Sequence, residues 1–373
     1  MGFTLGRFVQ FGPEPRESEM ASLANVGTAP RPLRVVQWAT GFVGMVGMRA
    51  VIRDPRFELV GLHAFSAEKE GRDAGELCGL DPIGVKATRD IETIKQLRPD
   101  CVLYMREGYD LDEVCALLEC GINIVTTRSE FLNPAFMDAD FRTRIEAACR
   151  KGGASIHSTG SSPGFITEAL PIVLASIQRQ FTSLTIDEYA DMARGCGPDM
   201  LFNLMGYGQP VSEIPKERFA HIGESFSHSL HLIADAIGLP LDSIETSAEL
   251  AKARNPIRIP TGEIIEAGTF AGERVTVAGI RDGKRLLCFR ANWYCSTDID
   301  AEWERRETGW RVVLEGDAPL DVAIRFPVPT EDLVATLPRY TANRPVNAIP
   351  YVCAGPPGIL TTTDLPQIIA RFA

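Results

Sequence analysis

The stretch LRVVQWATGFVGMVGMRAVI, Leu33 to Ile52, limits what this chain can fold into more than any other. An apolar run from Leu33 to Trp38 reads as a buried strand and passes through Ala39, Thr40 and Gly41 straight into a helical pattern. In that helix Val43, Val46, Gly47, Ala50 and Val51 share one stripe. A dinucleotide fingerprint requires glycines where the chain turns, where backbone approaches a pyrophosphate and where helix packs on strand. Gly41 and Gly44 fill the second and third places. Ala39 stands in the first, which alanine can hold only with a negative φ. The N–H groups of Phe42 and Val43 would then face phosphates at the positive end of the helix dipole.

The chain has 373 residues, enough for two domains. Its net charge of -11 argues against nucleic acid or an anionic membrane as partner. No apolar run is long enough to span a bilayer. Residues 1–31 lack the basic start and apolar centre of a secretory signal and read as a mobile tail. The nine cysteines are an odd count with no CxxC pair, the pattern of reduced, buried thiols in a cytoplasmic protein.

Phe57 to Phe65 reads as a second strand. In NAD-specific folds its end carries an acid, roughly 20 residues past the glycines, that binds the ribose hydroxyls. Here His63, Ala64, Phe65 and Ser66 stand there, with Lys69 and Arg72 close behind. The missing carboxylate favours NADP over NAD, with Ser66, Lys69 and Arg72 receiving the 2′-phosphate; the alternative for the two cations is a solvated loop. Strands follow at Cys101–Met105, Ile122–Thr127 and Ser155–His157. A helix opened by an Asp110/Glu113 capping box ends at Gly121, and another spans Asp138 to Lys151. This alternation predicts an α/β fold with a doubly wound, parallel Rossmann sheet and ligands outside the carboxyl ends of its strands. Met105, Arg106, Thr126, Thr127 and Arg128 would lie on the cofactor.

Ser162 as N-cap and Pro163 at the first helical position suit the start of the next helix. Domain boundaries are expected at residues 32–160 for the dinucleotide-binding domain and 161–340 for a substrate and dimerisation domain. The segment 341–373 would return to the first domain. Beyond residue 160 the pattern becomes strand-rich: Ser183–Met192, Glu273–Ile280 and Arg285–Cys295 around an Asp282-Gly283 turn, then Gly309–Glu315 and Val322–Phe326. With a helix over Phe219–Ile237, this predicts a second, α+β domain on a mixed or antiparallel sheet, whose extended sheet would suit a homodimer.

Glu130, just past a strand end, is the first candidate for catalytic acid or base. Glu107, in the neighbouring loop, is the second. A carboxylate partly desolvated beside a nicotinamide can exchange protons with an amine or water. His221, Glu224, His228 and His231 could share one helix face, yet their spacing fits no known metal motif, and polar histidines on a helix are the reading adopted, with no metal. Ser161 and Ser162 lack the GxSxG elbow of a nucleophile.

Taken together, QWATGFVG, SAEKEGRDAGEL, TTRSEFLNP, HSTGSSPGF and RPVNAIPYVCAGPPGI resemble the 2,4-diaminopentanoate dehydrogenase and native amine dehydrogenase family, which is related in fold to dihydrodipicolinate reductase. The resemblance implies an NAD(P)-dependent enzyme that interconverts an amine with a carbonyl compound plus ammonia. It puts the acid/base on Glu130, the pyrophosphate cradle on Ala39 to Gly44, and the adenosine ribose on Ser66 to Arg72. Asn347 would lie near the nicotinamide, with His157 and Phe165 flanking the substrate. Two other readings keep the fold: a reductase of C=C or C=N bonds, and a non-catalytic NADP-binding sensor. The double histidine of true dihydrodipicolinate reductases is absent.

Overall fold

The computed structural model describes residues 31–372, so of the expected tail only Arg31 falls within the described residues. Its guanidinium grips both carboxylate oxygens of Asp100 at 2.7 and 2.8 Å. The first domain carries β1 (Leu33–Trp38), β2 (Phe57–His63), β3 (Ala87–Thr88), β4 (Cys101–Tyr104), β5 (Asn123–Thr126) and β6 (Ser155–Ser158). Its main helices are α1 (Phe42–Arg53), α2 (Leu111–Glu119) and α3 (Ala139–Gly152). The strands pair in parallel in the order β6-β5-β4-β1-β2-β3. Because successive side chains alternate, Val36, Val102, Ile124 and Ile156 pack towards α2 and α3, while Val35, Leu103 and Val125 face α1.

Asp110 caps α2 through the N–H groups of Asp112 and Glu113. The expected capping box is only half formed, because the Glu113 carboxylate turns to Arg106 at 3.0 Å instead of reaching back.

The second domain is a mixed sheet of order β14-β13-β7-β12-β11-β8. Its strands are β7 (Phe181–Asp191), β8 (Ser243–Lys252), β11 (Phe270–Arg281), β12 (Lys284–Tyr294), β13 (Gly309–Gly316) and β14 (Leu320–Arg325). Between them β9 (Ile257–Arg258) and β10 (Ile264–Ile265) form a small ribbon. Only the β7–β12 pair is parallel within the large sheet. Asp282 and Gly283 both take positive φ, 51° and 70°, as a two-residue hairpin turn of the primed kind requires. Helix α4 (Glu217–Ile237) covers one face, with Phe226 stacked on Phe289 at 3.9 Å.

Two elements differ from the sequence expectation. The edge strand β8 is mostly exposed, so it shows no apolar alternation to read. Helix α5 (Leu333–Ala354) runs 22 residues through Pro338, Pro345 and Pro350, which as helix breakers suggested only short pieces. This helix descends from the second domain to pack on α1, and the final strand β15 (Gly358–Leu360) then joins the first sheet beside β6. No helix among the described residues is long and apolar enough to cross a membrane.

Candidate active site

The turn between β1 and α1 is held open. Helix α1 begins at Gly41 with no side-chain cap and no acid in its first turn, so its leading N–H groups are free for an anion. A Cβ on Gly41 would meet nothing within 4 Å, whereas one on Gly44 would lie 2.6 Å from the Ala39 carbonyl oxygen. Gly44 is therefore fixed by helix–strand contact, and Gly41 borders the space a diphosphate would fill. Ala39 overturns the expected negative φ: it sits at +76°. Its N–H donates to the His63 carbonyl at 2.9 Å and its own carbonyl accepts from the Gln37 amide at 3.1 Å, so the ends of β1 and β2 impose a conformation costing an alanine about 1–2 kcal/mol.

Lys69 does not reach freely into the loop beyond β2. Its ammonium donates to the Thr40 hydroxyl at 2.9 Å and contacts the Thr40 carbonyl at 3.2 Å, beside the phosphate turn. Ser66 and Arg72 are exposed on that loop. A cavity of about 550 Å³ at the same sheet edge is lined by Trp38, His63, Phe65, Arg89, Arg106 and Glu113 among others. His63 stacks on Trp38 at 3.9 Å, and burial holds its imidazole below the usual pKa. The Arg106 guanidinium lies 4.6 Å above the Phe65 ring. Arg106 thus faces Phe65, just beyond the end of β2. Arg89, which also lines this cavity, was not singled out from the sequence, since it follows a two-residue strand.

The loop after β5 is pinned from three directions. The Thr126 hydroxyl donates to the Tyr104 carbonyl at 2.8 Å, the Arg128 N–H donates to Thr126 Oγ1 at 3.2 Å, and the Ser158 hydroxyl donates to the Arg128 carbonyl at 2.7 Å. A single turn, Ser129–Phe131, then presents Glu130, which pairs with Arg128 at 2.6 Å. His228 of α4 feels the Glu130 charge, although burial holds its imidazole below the usual pKa. Glu107 stands exposed on the neighbouring loop. Met105 packs beneath α1, 3.1 Å from where a Gly47 Cβ would lie, and Thr127 borders Gly160. Among the described residues no three His, Cys, Asp or Glu side chains converge as a metal site. His231 of the singled-out helix face stacks on Phe136 at 3.3 Å.

Ser162 is not an N-cap. Ser162 and Pro163 are extended and Gly164 has φ 130°, so the helix begins only after them. Glu168, fully buried, accepts the Gly164 N–H and the Thr167 hydroxyl and so ties the kink; burial raises its carboxyl. Phe165 lines a cavity of about 330 Å³ with Trp310, Phe326, Tyr340 and Arg344. Arg344 donates to Thr159 Oγ1 at 2.9 Å and lies 5.6 Å from the Phe165 ring centre. His157 is buried completely beneath α5 and lines none of this; its Nδ1 donates to the Leu360 carbonyl at 2.8 Å, and burial lowers its pKa to about 4. Asn347 borders the same cavity as Phe165, but its carbonyl accepts from Arg56 at 3.2 Å, at the entry to β2 and away from the glycine turn.

A bare helix start and an adenosine-sized cavity on the carboxyl edge of one parallel sheet are features a dinucleotide uses together, and the reactive edge faces a second, mixed-sheet domain. The class is a two-domain, nicotinamide-dependent oxidoreductase. Residues 215–372 match the family model of the 2,4-diaminopentanoate dehydrogenase C-terminal domain. The chain is 28% identical over 349 residues to an amine dehydrogenase of Streptomyces virginiae, covering 90% of this chain and 96% of that one. A 2,4-diaminopentanoate dehydrogenase of Acetoanaerobium sticklandii is 25% identical over 296 residues, 76% of this chain and 77% of the relative. The fold matches that of the amine dehydrogenase from Mycobacterium smegmatis with a TM-score of 0.74 at 22% identity, over 91% of this chain and 97% of that one. Over most of its length the chain is therefore similar to an amine dehydrogenase and a 2,4-diaminopentanoate dehydrogenase, the group its motifs resemble.

Proposed function

We propose that this protein is an amine dehydrogenase that prefers NADP, with Glu130 as its acid/base. The reading rests above all on the triple pinning of the loop after β5, which carries Glu130 at the carboxyl edge of the sheet that also bears the glycine turn, two strands away. When bound at that turn, the nicotinamide cofactor supplies or accepts the hydride. The protein's own residues do the rest. Glu130 takes a proton from ammonium so that ammonia attacks the carbonyl carbon, then returns it as water leaves. Its negative charge favours the iminium carbon that must meet the hydride. Arg128 holds the carboxylate in one orientation between these steps. Thr40 to Gly44 with Lys69 would hold the diphosphate, and Ser66, Arg72 and Arg89 would receive a 2′-phosphate. A homodimer through the second sheet and a cytoplasmic location complete the proposal.

Glu130→Gln tests it. The variant should lose roughly 10²–10⁴-fold in turnover with amine or carbonyl substrates while binding NADPH as before. Full activity in Glu130→Gln would refute the assignment, and cofactor oxidation that ignores ammonium would favour a C=C or C=N reductase.

A further inference from the structure

Helix α4 carries His221, Glu224, His228, His231 and Asp235 at steps of three and four residues, so these titratable side chains form one stripe. The opposite side of the helix, with Phe226, Leu230 and Ile233, packs into the core of the second domain. The stripe meets the first domain. His231 stacks on Phe136 at 3.3 Å and the Asn133 amide donates to Asp235 at 3.5 Å, so the C-terminal half of α4 is seated on the chain that follows β5. One turn back from His231, His228 is carried towards Ser129–Phe131, the turn that α4 touches and that presents Glu130. Glu224 and His221, further back along the stripe, are exposed.

His228 is half-buried, and its Nδ1 is buried without a hydrogen-bond partner. A histidine serving only the core would have found one. Burial favours the neutral ring, while Glu224, one turn away on α4, and Glu130 on the facing loop both favour the imidazolium. Of the other charged groups at this seam, Arg128 is taken up by Glu130, and Asp235 acts on the neighbouring His231. Opposed influences of this kind leave an imidazole able to take up a proton and give it away again.

The chemistry requires such a group. Written with both nitrogens protonated, oxidation of an amine to a ketone and ammonium consumes water, passes a hydride to the cofactor and releases one further proton. Glu130 holds that proton at the end of each turnover and has to shed it before the next. We propose that His228 is the relay through which Glu130 exchanges its proton with solvent, a positioning residue that the second domain supplies to the acid/base of the first. The O–H bond of the carboxylic acid breaks as an N–H bond forms on the imidazole, and the imidazolium then gives the proton to water past Glu224. No electrons change hands. The proposal rests on the reading of Glu130 as acid/base.

The test uses the full chain with NADP and pentan-2-amine. His228→Asn should lower kcat by roughly a hundredfold while KM for amine and NADP stays as in wild type. Added imidazole should restore most of the loss, and pyrazole, of the same shape but unable to take a proton near neutrality, should restore none. His228→Gln takes its place should the asparagine variant fail to fold. Wild-type turnover in the folded variant, or a deficit that imidazole leaves untouched, overturns the proposal. Failure of the underlying reading looks different: Glu130→Gln stays active, or the wild-type protein leaves the amine unoxidised. The relay is then read without catalysis, from the imidazole nitrogen-15 signals of the five histidines. The signal missing from the His228 variant should titrate at lower pH in Glu130→Gln than in wild type, because the favourable carboxylate charge is gone. An unchanged titration overturns the relay whatever the activity.

Discussion

Adding one methyl group at Gly41 or at Gly44 should have opposite consequences. At Gly44 the new Cβ would lie 2.6 Å from the Ala39 carbonyl oxygen and 3.0 Å from Gln37 Nε2, well inside contact distance. The first of these atoms is backbone in a left-handed residue tied to β2, so it cannot yield cheaply. Overpacking of this kind costs about 1–3 kcal/mol, partly offset by up to ~1 kcal/mol of helix propensity. Gly44→Ala should therefore lose about 1–2 kcal/mol, a drop of several degrees in Tm for the free protein. At Gly41 a Cβ meets nothing within 4 Å, and its φ of -72° suits any residue. Gly41→Ala should leave the free protein within about 0.5 kcal/mol of wild type. Yet its methyl group would occupy diphosphate space and should weaken NADPH by about 10–100-fold, or 1.4–2.7 kcal/mol. Thermal melts without cofactor and calorimetry with it separate the two effects. Unchanged NADPH affinity in Gly41→Ala would refute the cradle, as would a stable Gly44→Ala refute the packing argument.

Ala39→Gly should relieve about 1–2 kcal/mol of left-handed strain and return roughly 0.4–1 kcal/mol of it as chain entropy, so melts should show a small gain; a loss would mean that the alanine methyl packs usefully. Lys69→Ala should weaken NADP and NAD alike by about tenfold, since the ammonium sits at Thr40, whereas Arg72→Ala should weaken NADP alone, as titration of each nucleotide would reveal. His157 titrates near 4 when folded, below its ordinary 6.5, because it is buried. Below pH 6.5 the unfolded chain therefore takes up a proton that the native state refuses, and stability falls until about pH 4. The loss approaches ~3 kcal/mol from this group alone. His157→Asn, which keeps a donor for Leu360, should flatten the pH dependence of denaturant unfolding over that window.

Much of this was written plainly in the sequence. The strand, turn and helix from Leu33 onward, the alternation behind the parallel sheet, the Asp282-Gly283 hairpin and the family motifs are local patterns, and local patterns survive without coordinates. What escaped depends on distant partners. Ala39 takes a positive φ because β2 holds its N–H, which no local rule reveals. Arg106 turns towards β2 because Phe65, from the loop just beyond that strand, lies beneath it. Three prolines hid α5, and exposure hid β8.

The most direct measurement of the account is stoichiometry. Purified protein supplied with NADP and a primary amine borne on a secondary carbon should release ammonia and reduced nicotinamide in equal amounts, with the matching ketone. Reduced nicotinamide without ammonia, or an amine left untouched while another bond is reduced, would contradict it.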